Sequence, residues 1–329
     1  MLLRSLPSLT LCDAGFRDWF HSKWGHENCV VWGRALRADF VPHVHSLSIR
    51  AAWGGTEHCH VGGRIVGVDD DTFLILNQGR MYSTSIRAEY PVESLAICFR
   101  PGLAGAAYAA MSVPLAKALA DGAGLPERTI EFSENLQAHD RLVSPVLRFI
   151  KAHVAQGLED EGWYEEQLHF LLERMRQRRD RTLLQIERLQ FIRGATRREI
   201  HRRIAIATDF IHTNYAQDLD LEALANVACL SKYHFLRLFT LVHGVTPYAF
   251  LQNKRTSVAA RLLRTTQLTM SQVASCVGFA QRSTVARRIR SRTGFTPLQL
   301  RVRGKDTRSK QARTPRHRIE ATIDGRAGW

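Results

Sequence analysis

Two short stretches about fifty residues apart hold side chains suited to gripping a polyanion. The first carries Lys232, Tyr233, Leu236 and Arg237; the second carries Gln281, Arg282, Ser283, Arg287 and Arg290. A guanidinium is a planar fork of donors that matches either a phosphate or the O6/N7 edge of guanine. Arg237 and Arg287 could each make that bidentate base contact, worth about 1–3 kcal/mol of discrimination. A phosphate contact or a surface ion pair is the competing use of either arginine.

Other constellations offer less. His43 and His45, and His58 and His60, are i, i+2 pairs that would point one way from a strand and could present two imidazoles to a metal. Metal-dependent cupin enzymes also need a carboxylate a few residues on, and after His60 no acid occurs before Asp69. Solvated or hydrogen-bonded histidines are therefore expected, with no metal and no other cofactor. Glu159, Asp160, Glu161, Glu165 and Glu166 read as a solvated helix face. The six cysteines, Cys12, Cys29, Cys59, Cys98, Cys229 and Cys276, form no C-x-x-C pair and read as buried thiols in a reducing cytoplasm. There is no P-loop and no G-x-S-x-G, so no enzyme activity is expected.

The elements that must position the basic side chains come from a repeat. Residues 243–247 read HGVTP and residues 293–297 read TGFTP. Upstream, Leu221–Ala225 and Met270–Ala274 each open a short helix, a turn follows (Ala228-Cys229-Leu230; Val277-Gly278-Phe279), and a second helix runs to Gly244 or Gly294. Ala225 matches Ala274 at an offset of 49; Phe235, Arg237 and Phe239 match Val285, Arg287 and Ile289 at 50. The small alanine lets the second helix cross closely, the i, i+4 apolar pair faces the core, and the other face carries the polar and basic residues. The glycine ends each helix and Thr-Pro prevents its continuation. Thr269-x-x-Gln272 is a capping box. Each copy is a helix-turn-helix, whose second helix enters the major groove. Phe250, Leu251, Val258, Leu262 and Leu263 give a helical period between the copies, so a rigid linker helix is expected. It would hold two recognition helices about 34 Å apart, the spacing of successive major grooves on one DNA face.

Charge placement agrees with a polyanion partner. Residues 1–170 hold 15 Lys/Arg against 20 Asp/Glu, whereas residues 281–329 hold 14 against 3. Residues 176–203 are also Arg-rich and read as a linker and the exposed face of an entering helix (REIHRRIAIATDFIHTNY), with Ile200, Ile204, Ile206, Phe210 and Ile211 apolar. The opening MLLRSLPSLTL is broken by Arg4 and Pro7 and does not read as a signal peptide; Pro101 to Ala116 is too short to span a bilayer. No membrane partner is expected.

Ahead of the repeat, VVWG, SLSIRAAW, RIVGV, TFLILNQG and LAICF read as short strands with turns at Asp69–Asp71 and Asn77-Gln78-Gly79, which suggests a small antiparallel barrel or sandwich. Helices follow. Trp163, Leu168, Leu171, Leu172 and Met175 form an apolar stripe that could pack on the same chain's strands or against a second copy.

Residues 205–303 resemble the DNA-binding domain of the AraC/XylS family of bacterial transcription regulators. The resemblance rests on LEALANVACLSKYHFLRLF, HGVTPYAFLQNKR, the ARLL that follows, SQVASCVGF and TGFTPLQLR. It implies an α+β chain: a cupin-like antiparallel β barrel with following helices as a sensor or dimerisation domain over 1–175, an Arg-rich linker over 176–204, an all-α DNA-binding domain over 205–303 with units at about 221–243 and 270–293, and a basic, disordered tail over 304–329. It implies a cytoplasmic protein whose partners are double-stranded promoter DNA, RNA polymerase, a second copy of the chain and a small-molecule effector.

The chain departs from the family where aromatics are usual at Val285 and Ile289, and where Ser or Asp usually starts the second recognition helix, here Ala280. Looser packing and a lost cap, worth about 1 kcal/mol, are expected there. With Arg282, Arg287, Arg288, Arg290 and Arg292, that helix favours phosphate contacts, which position without reading sequence. Most sequence discrimination is then expected from Tyr233 and Arg237. A nonspecific architectural nucleic-acid binder and, remotely, a metal-dependent cupin oxygenase are the alternatives to a sequence-specific regulator.

Overall fold

The computed structural model of the chain describes residues 1–6, 18, 22–23, 26–44, 46–112, 130–158, 160–187 and 194–312. They divide between two compact units, Met1–Gln252 and Asn253–Trp329.

The first unit opens with antiparallel sheet. Its strands are β1 (Leu2–Leu3), β2 (Cys29–Val44), β3 (Ser48–Trp53), β4 (Glu57–Val61), β5 (Arg64–Val68), β6 (Thr72–Leu76), β7 (Met81–Cys98) and β8 (Leu136–Ala138). The order is β1-β2-β7-β3-β6-β8, with β4 joining β5 to β7. The pairings are antiparallel except for β1 on β2. β7 organises the sheet. Its first half, Tyr82–Ile86, pairs with β4, its second half, Glu93–Cys98, pairs with β3, and β2 runs beside both. The sequence pattern shows only the apolar parts of these two long strands, VVWG and LAICF. Their outer parts carry Arg, Glu and Pro on exposed positions and lack a strand's apolar signature.

Two cores result. Cys59, Val61, Val66 and Val68 of the β4–β5 hairpin pack with Leu74, Leu76, Tyr82, Ile86 and Val92. Alternate residues Ile49, Ala51, Phe73, Ile75, Leu95 and Ile97 point the other way, onto α2 (Val143–Ala155) and α3 (Glu161–Glu187), which follow α1 (Leu103–Ser112). Hence β6 reads TFLIL: both of its faces are covered, so every position is apolar or a buried threonine. Leu168, Leu171, Leu172 and Met175 of the apolar stripe are buried in the second core. Trp163 packs at its margin, stacked 3.6 Å from the His153 ring. The stripe therefore serves this chain's own sheet, and the dimer-seam reading is not needed to explain it.

The expected linker over 176–204 is mostly helix. α3 continues to Glu187 because Arg176 pairs with Glu173 and Asp180 one turn away on either side, and α4 (Gly194–Asn214) occupies the far end; residues 188–193 lie outside the described residues. α5 (Leu221–Val227), α6 (Lys232–His243) and the start of α7 (Pro247–Thr265) complete the unit. Their core gathers Ile200, Ile204, Ala207 and Ile211 of α4 around Phe235, Leu238 and Phe239 of α6.

The second unit contains the rest of α7, then α8 (Met270–Cys276), α9 (Arg282–Thr293) and α10 (Pro297–Ala312). The segment expected to be a disordered tail from 304 begins inside α10. Gly304 lets that helix lie against α7, since a Cβ there would stand 2.2 Å from the Arg264 carbonyl oxygen. Residues 313–329 lie outside the described residues.

One charged pair lies inside the first core. Arg50 Nη1 donates to Glu57 Oε1 at 2.8 Å and Arg50 Nη2 to the Tyr82 hydroxyl at 3.2 Å; Ser94 Oγ donates to Glu57 Oε2 at 2.8 Å. Both ionic side chains are at most 3% exposed. Removing one partner strands a buried charge. Glu57→Ala should cost about 3–5 kcal/mol in chemical denaturation. A loss below about 1 kcal/mol would show that Arg50 finds water in the mutant.

Candidate nucleic-acid interface

The two recognition helices are set by the same local devices. In the first unit Asp220 caps α5, accepting from the Ala223 amide at 2.7 Å. The chain then turns through Cys229 at φ +50°, with the Leu230 amide donating to Ala225 O at 3.0 Å. Ser231 caps α6, and Gly244 at φ +71° ends it. In the second unit Thr269 and Gln272 close the expected capping box. Gly278 at φ +77° takes the place of Cys229, and the Phe279 amide donates to Ala274 O at 2.9 Å. Gly294 at φ +73° ends α9.

This register corrects one expectation. The N-cap of α9 is Gln281, not Ala280; Ala280 is the extra residue of the longer second turn. The expected loss of a side-chain cap holds, since Gln281 makes no capping hydrogen bond whereas Ser231 does. The expected looseness does not: Val285 and Ile289 are fully buried, as are Phe235 and Phe239.

Opposite these buried pairs lie the predicted contact residues. Lys232, Tyr233 and Arg237 are exposed on α6, Tyr233 at 77%, and Leu236 is half-buried beside them. Gln281, Arg282, Ser283, Arg287 and Arg290 are all exposed on or at the start of α9. Two basic residues have prior partners. Lys232 Nζ pairs with Glu222 at 2.6 Å, which raises its pKa. Arg292 Nη1 donates to the Asn253 carbonyl at 2.6 Å and so serves the fold. His234 and Leu241 share the exposed side of α6 with Arg237 but were not singled out in sequence. Their i, i+3 and i+4 spacing to Arg237 was the available signal.

The histidine pairs gain no partner set. His58 and His60 sit on β4, and among the described residues no group of three or more His, Cys, Asp or Glu gathers as a metal site. His45, the partner proposed for His43, lies outside the described residues. No helix among the described residues is long and apolar enough to cross a membrane.

A helix-turn-helix domain model matches residues 224–303. Residues 224–303 are a helix-turn-helix domain. Over 102 residues the chain is 30% identical to the Bacillus subtilis bifunctional transcriptional activator/DNA repair enzyme AdaA, covering 31% of this chain and 48% of that protein. It is 29% identical over 102 residues to the HTH-type transcriptional regulator AlkR of Acinetobacter baylyi, covering 31% and 33%. A solved structure of the DNA-binding domain of AdpA, a global transcriptional factor, in complex with a target DNA is 27% identical, covering 34% of this chain and 96% of that one, with a TM-score of 0.29. The chain thus spans less than half the length of these two curated relatives.

Behind the exposed face of the first helix-turn-helix lies a cavity of about 500 Å³, lined by Ile75, Phe132 and Met175 on one side and by His201, Ile204 and His243 on the other. His243 Nε2 meets Thr208 Oγ1 at 2.9 Å. Burial, and then the neighbouring His201, push the His243 pKa down to about 4. An imidazole whose folded pKa lies below its unfolded value of about 6.5 takes up its proton more readily in the unfolded chain. Its stabilising contribution is complete above pH 6.5 and is lost as the pH falls towards 4. Buried Asp209, whose carboxyl is raised to about 7, works in the opposite sense, so the test is a comparison: between pH 7 and 4 the parent's thermal midpoint should fall relative to that of His243→Gln, and a difference between the two that does not change with pH would assign the effect elsewhere. Cys229 yields a second expectation. A side chain in the left-handed region costs roughly 1–2 kcal/mol that glycine avoids. Cys229→Gly should therefore stabilise the first unit by about 1 kcal/mol in denaturant titration, and a destabilised variant would show that the thiol's packing outweighs the backbone.

Proposed function

We propose that the protein is a sequence-specific transcription regulator that inserts α6 and α9 into successive major grooves of promoter DNA. The observation that carries the reading is the matching build of the two helices: each buries one apolar pair, Phe235/Phe239 or Val285/Ile289, and leaves a guanidinium face exposed, with Tyr233 beside Arg237 on α6 and Ser283 beside Arg287 on α9. On this reading Arg237 and Arg287 meet guanine edges, and Tyr233, Leu236 and Ser283 complete the base-facing surface. Lys232, Gln281, Arg282 and Arg290 position the helices on phosphates. Lys232 exchanges Glu222 for phosphate on binding.

The sheet region, read as a cupin-like sensor, would receive a small-molecule effector, and the cavity beside His243 offers it room. The setting is then the cytoplasm, with RNA polymerase and a second copy of the chain as further partners. We read the chain as non-enzymatic, although AdaA is named both activator and repair enzyme. Repair chemistry by a cysteine needs a reactive thiolate. Burial pushes the thiols of Cys29, Cys59 and Cys98 well above the ordinary range, to about 12 for Cys98, which keeps them protonated; Cys229 and Cys276, expected to be buried, are exposed, and Cys12 lies outside the described residues.

Selection from random duplex DNA at physiological salt tests the reading. Two preferred blocks about one helical turn apart are the expected result. Arg237→Ala should relax one base pair at a cost of about 1–3 kcal/mol, while Arg282→Ala should weaken all sequences alike and lower the salt slope by about 1. DNA retained without any enriched block, with a steep salt dependence, would instead establish the architectural binder. Unchanged specificity in an Arg237→Ala/Arg287→Ala double variant would overturn the site assignment.

A further inference from the structure

β2 and β7 bring two thiols face to face. Cys29 on β2 and Cys98 on β7 are direct register partners, and the register runs without a shift from there to Ala35 and Val92. Residues directly opposite in an antiparallel ladder have Cα atoms about 4.5–5.5 Å apart, and a disulfide spans about 4.4–6.8 Å between Cα atoms. With Val31 and Ala96, the next pair on the same face, the two cysteines form a small cluster apart from the two cores of the sheet. Both thiols are free, and both residues are fully buried. Among the described residues no other two cysteines face each other in the sheet; Cys59 lies opposite Val66 and Thr84.

The cover over this pair is thin. Met1, Leu3 and Leu6 pack on the cluster, and their segment is held to β2 by a strand of two residues, Leu2–Leu3. Gly33 stands on β2 two residues beyond Val31, so it shares that face. It lets the segment pass: a Cβ there would stand 2.8 Å from the Leu6 amide nitrogen and 2.9 Å from the Leu6 Cγ. Short pairings at the edge of a fold open locally at far lower cost than the sheet beneath them. The cover can therefore lift while β2 and β7 stay paired.

We propose that Cys29 and Cys98 are an oxidation site for hydroperoxides, shielded by the Met1–Leu6 segment and converted to an intrachain disulfide when that segment lifts. With the cover closed, burial keeps both thiols protonated and unreactive. Lifting it admits water and the peroxide together. Burial raises the Cys98 thiol, and the Arg50 guanidinium pulls it back towards the thiolate, so Cys98 is the attacking sulfur. Its thiolate attacks one peroxide oxygen, the O–O bond breaks, and the leaving alkoxide or hydroxide takes up the thiol proton. Cys98 is then a sulfenic acid. The Cys29 sulfur displaces the sulfenic hydroxyl, the S–S bond forms, and the hydroxide leaves with the Cys29 proton as water. The thiol pair has lost two electrons and two protons, and the hydroperoxide has become an alcohol, or water, plus one further water. The inference is independent of the DNA-binding reading.

The test treats the reduced full chain with hydrogen peroxide at a dose that oxidises the exposed Cys229 and Cys276. The remaining thiols are then alkylated in denaturant and the peptides mapped by mass. The expected product links the Cys29 and Cys98 peptides, is lighter by two hydrogens, and reverts with dithiothreitol. Cys29→Ser should stop at a sulfenic acid on Cys98, which dimedone traps. Gly33→Ala pushes the cover away and Leu6→Ala trims it without a new clash, so at least one is expected to keep the sheet, which circular dichroism checks. Each folded variant should form the link roughly fivefold or more faster than the parent, because the open state is more populated. A link formed at the parent's rate in every folded variant would overturn the cover. A Cys29–Cys98 link absent from the parent and the variants alike would overturn the site.

Discussion

A helix that contacts a ligand through one face must be fixed through the other, and the C-terminal third of this chain is organised around that demand. On α6, fully buried Phe235 lies two residues from Tyr233, which is 77% exposed. Successive residues of an α-helix are rotated by about 100°, so a slip of one position would turn the apolar pair out and the basic face in. The extra residue of the second unit, Ala280, is absorbed in the turn before the N-cap. From the N-cap onward the two helices keep the same intervals: Ser231 to Phe235 to Phe239, and Gln281 to Val285 to Ile289. A left-handed residue in each turn, Cys229 or Gly278, supplies the reversal that brings the second helix across the first. The tolerance for insertion lies in the turn because only there does it leave the face unchanged.

The sheet obeys the corresponding rule with a period of two. β3 alternates Ile49 and Ala51 towards the helices with Arg50 and Ala52 towards the β4–β5 side. Arg50 would be costly in an apolar layer by itself. With Glu57 and the Tyr82 hydroxyl it becomes a register mark, since a one-residue slip would aim the guanidinium at α2 and α3, away from its partners. The pair thus ties β3, β4 and β7 to one another in the only alignment that satisfies it.

The helix-turn-helix third was legible in sequence because its signals are local. Helix period, Thr-Pro after a glycine, and Thr269 with Gln272 each act within a few residues, and the repeat doubled them. The apolar strands RIVGV and TFLIL were legible for the same reason. The outer halves of β2 and β7 were not, because their pairing partners are distant and their exposed positions carry Arg87, Glu89 and Pro91 in place of an apolar alternation. The helical character of 176–187 was hidden by reading arginine density as linker, when the Glu173–Arg176–Asp180 ladder makes it good helix. Asp209 gave no signal at all: in sequence it is one acid in a helix, and its buried bonds to Arg64 of β5 and the Leu136 amide of β8 exist only in the fold.

The composition of α9 raises a last question: how does a twelve-residue helix with five arginines and no acid hold together? Its buried contribution comes from Val285 and Ile289, both smaller than the phenylalanines of α6. Arg290 and Arg292 lie in the last turn, where the negative end of the helix dipole favours cations, and Arg292 is further fixed by the Asn253 carbonyl. The weak end is the start. Gln281 leaves the first amides without a side-chain acceptor, and Arg282 stands at the positive end of the dipole, where a cation is disfavoured. Both defects share one remedy, an anion at the helix N-terminus. On the proposed reading a DNA phosphate supplies it, so α9 is completed by the ligand it grips. α6, already capped by Ser231, is complete beforehand and free to commit its exposed side chains to base edges. The unequal caps thus favour the same division of labour as the unequal charge, with sequence reading centred on the first unit and phosphate grip on the second.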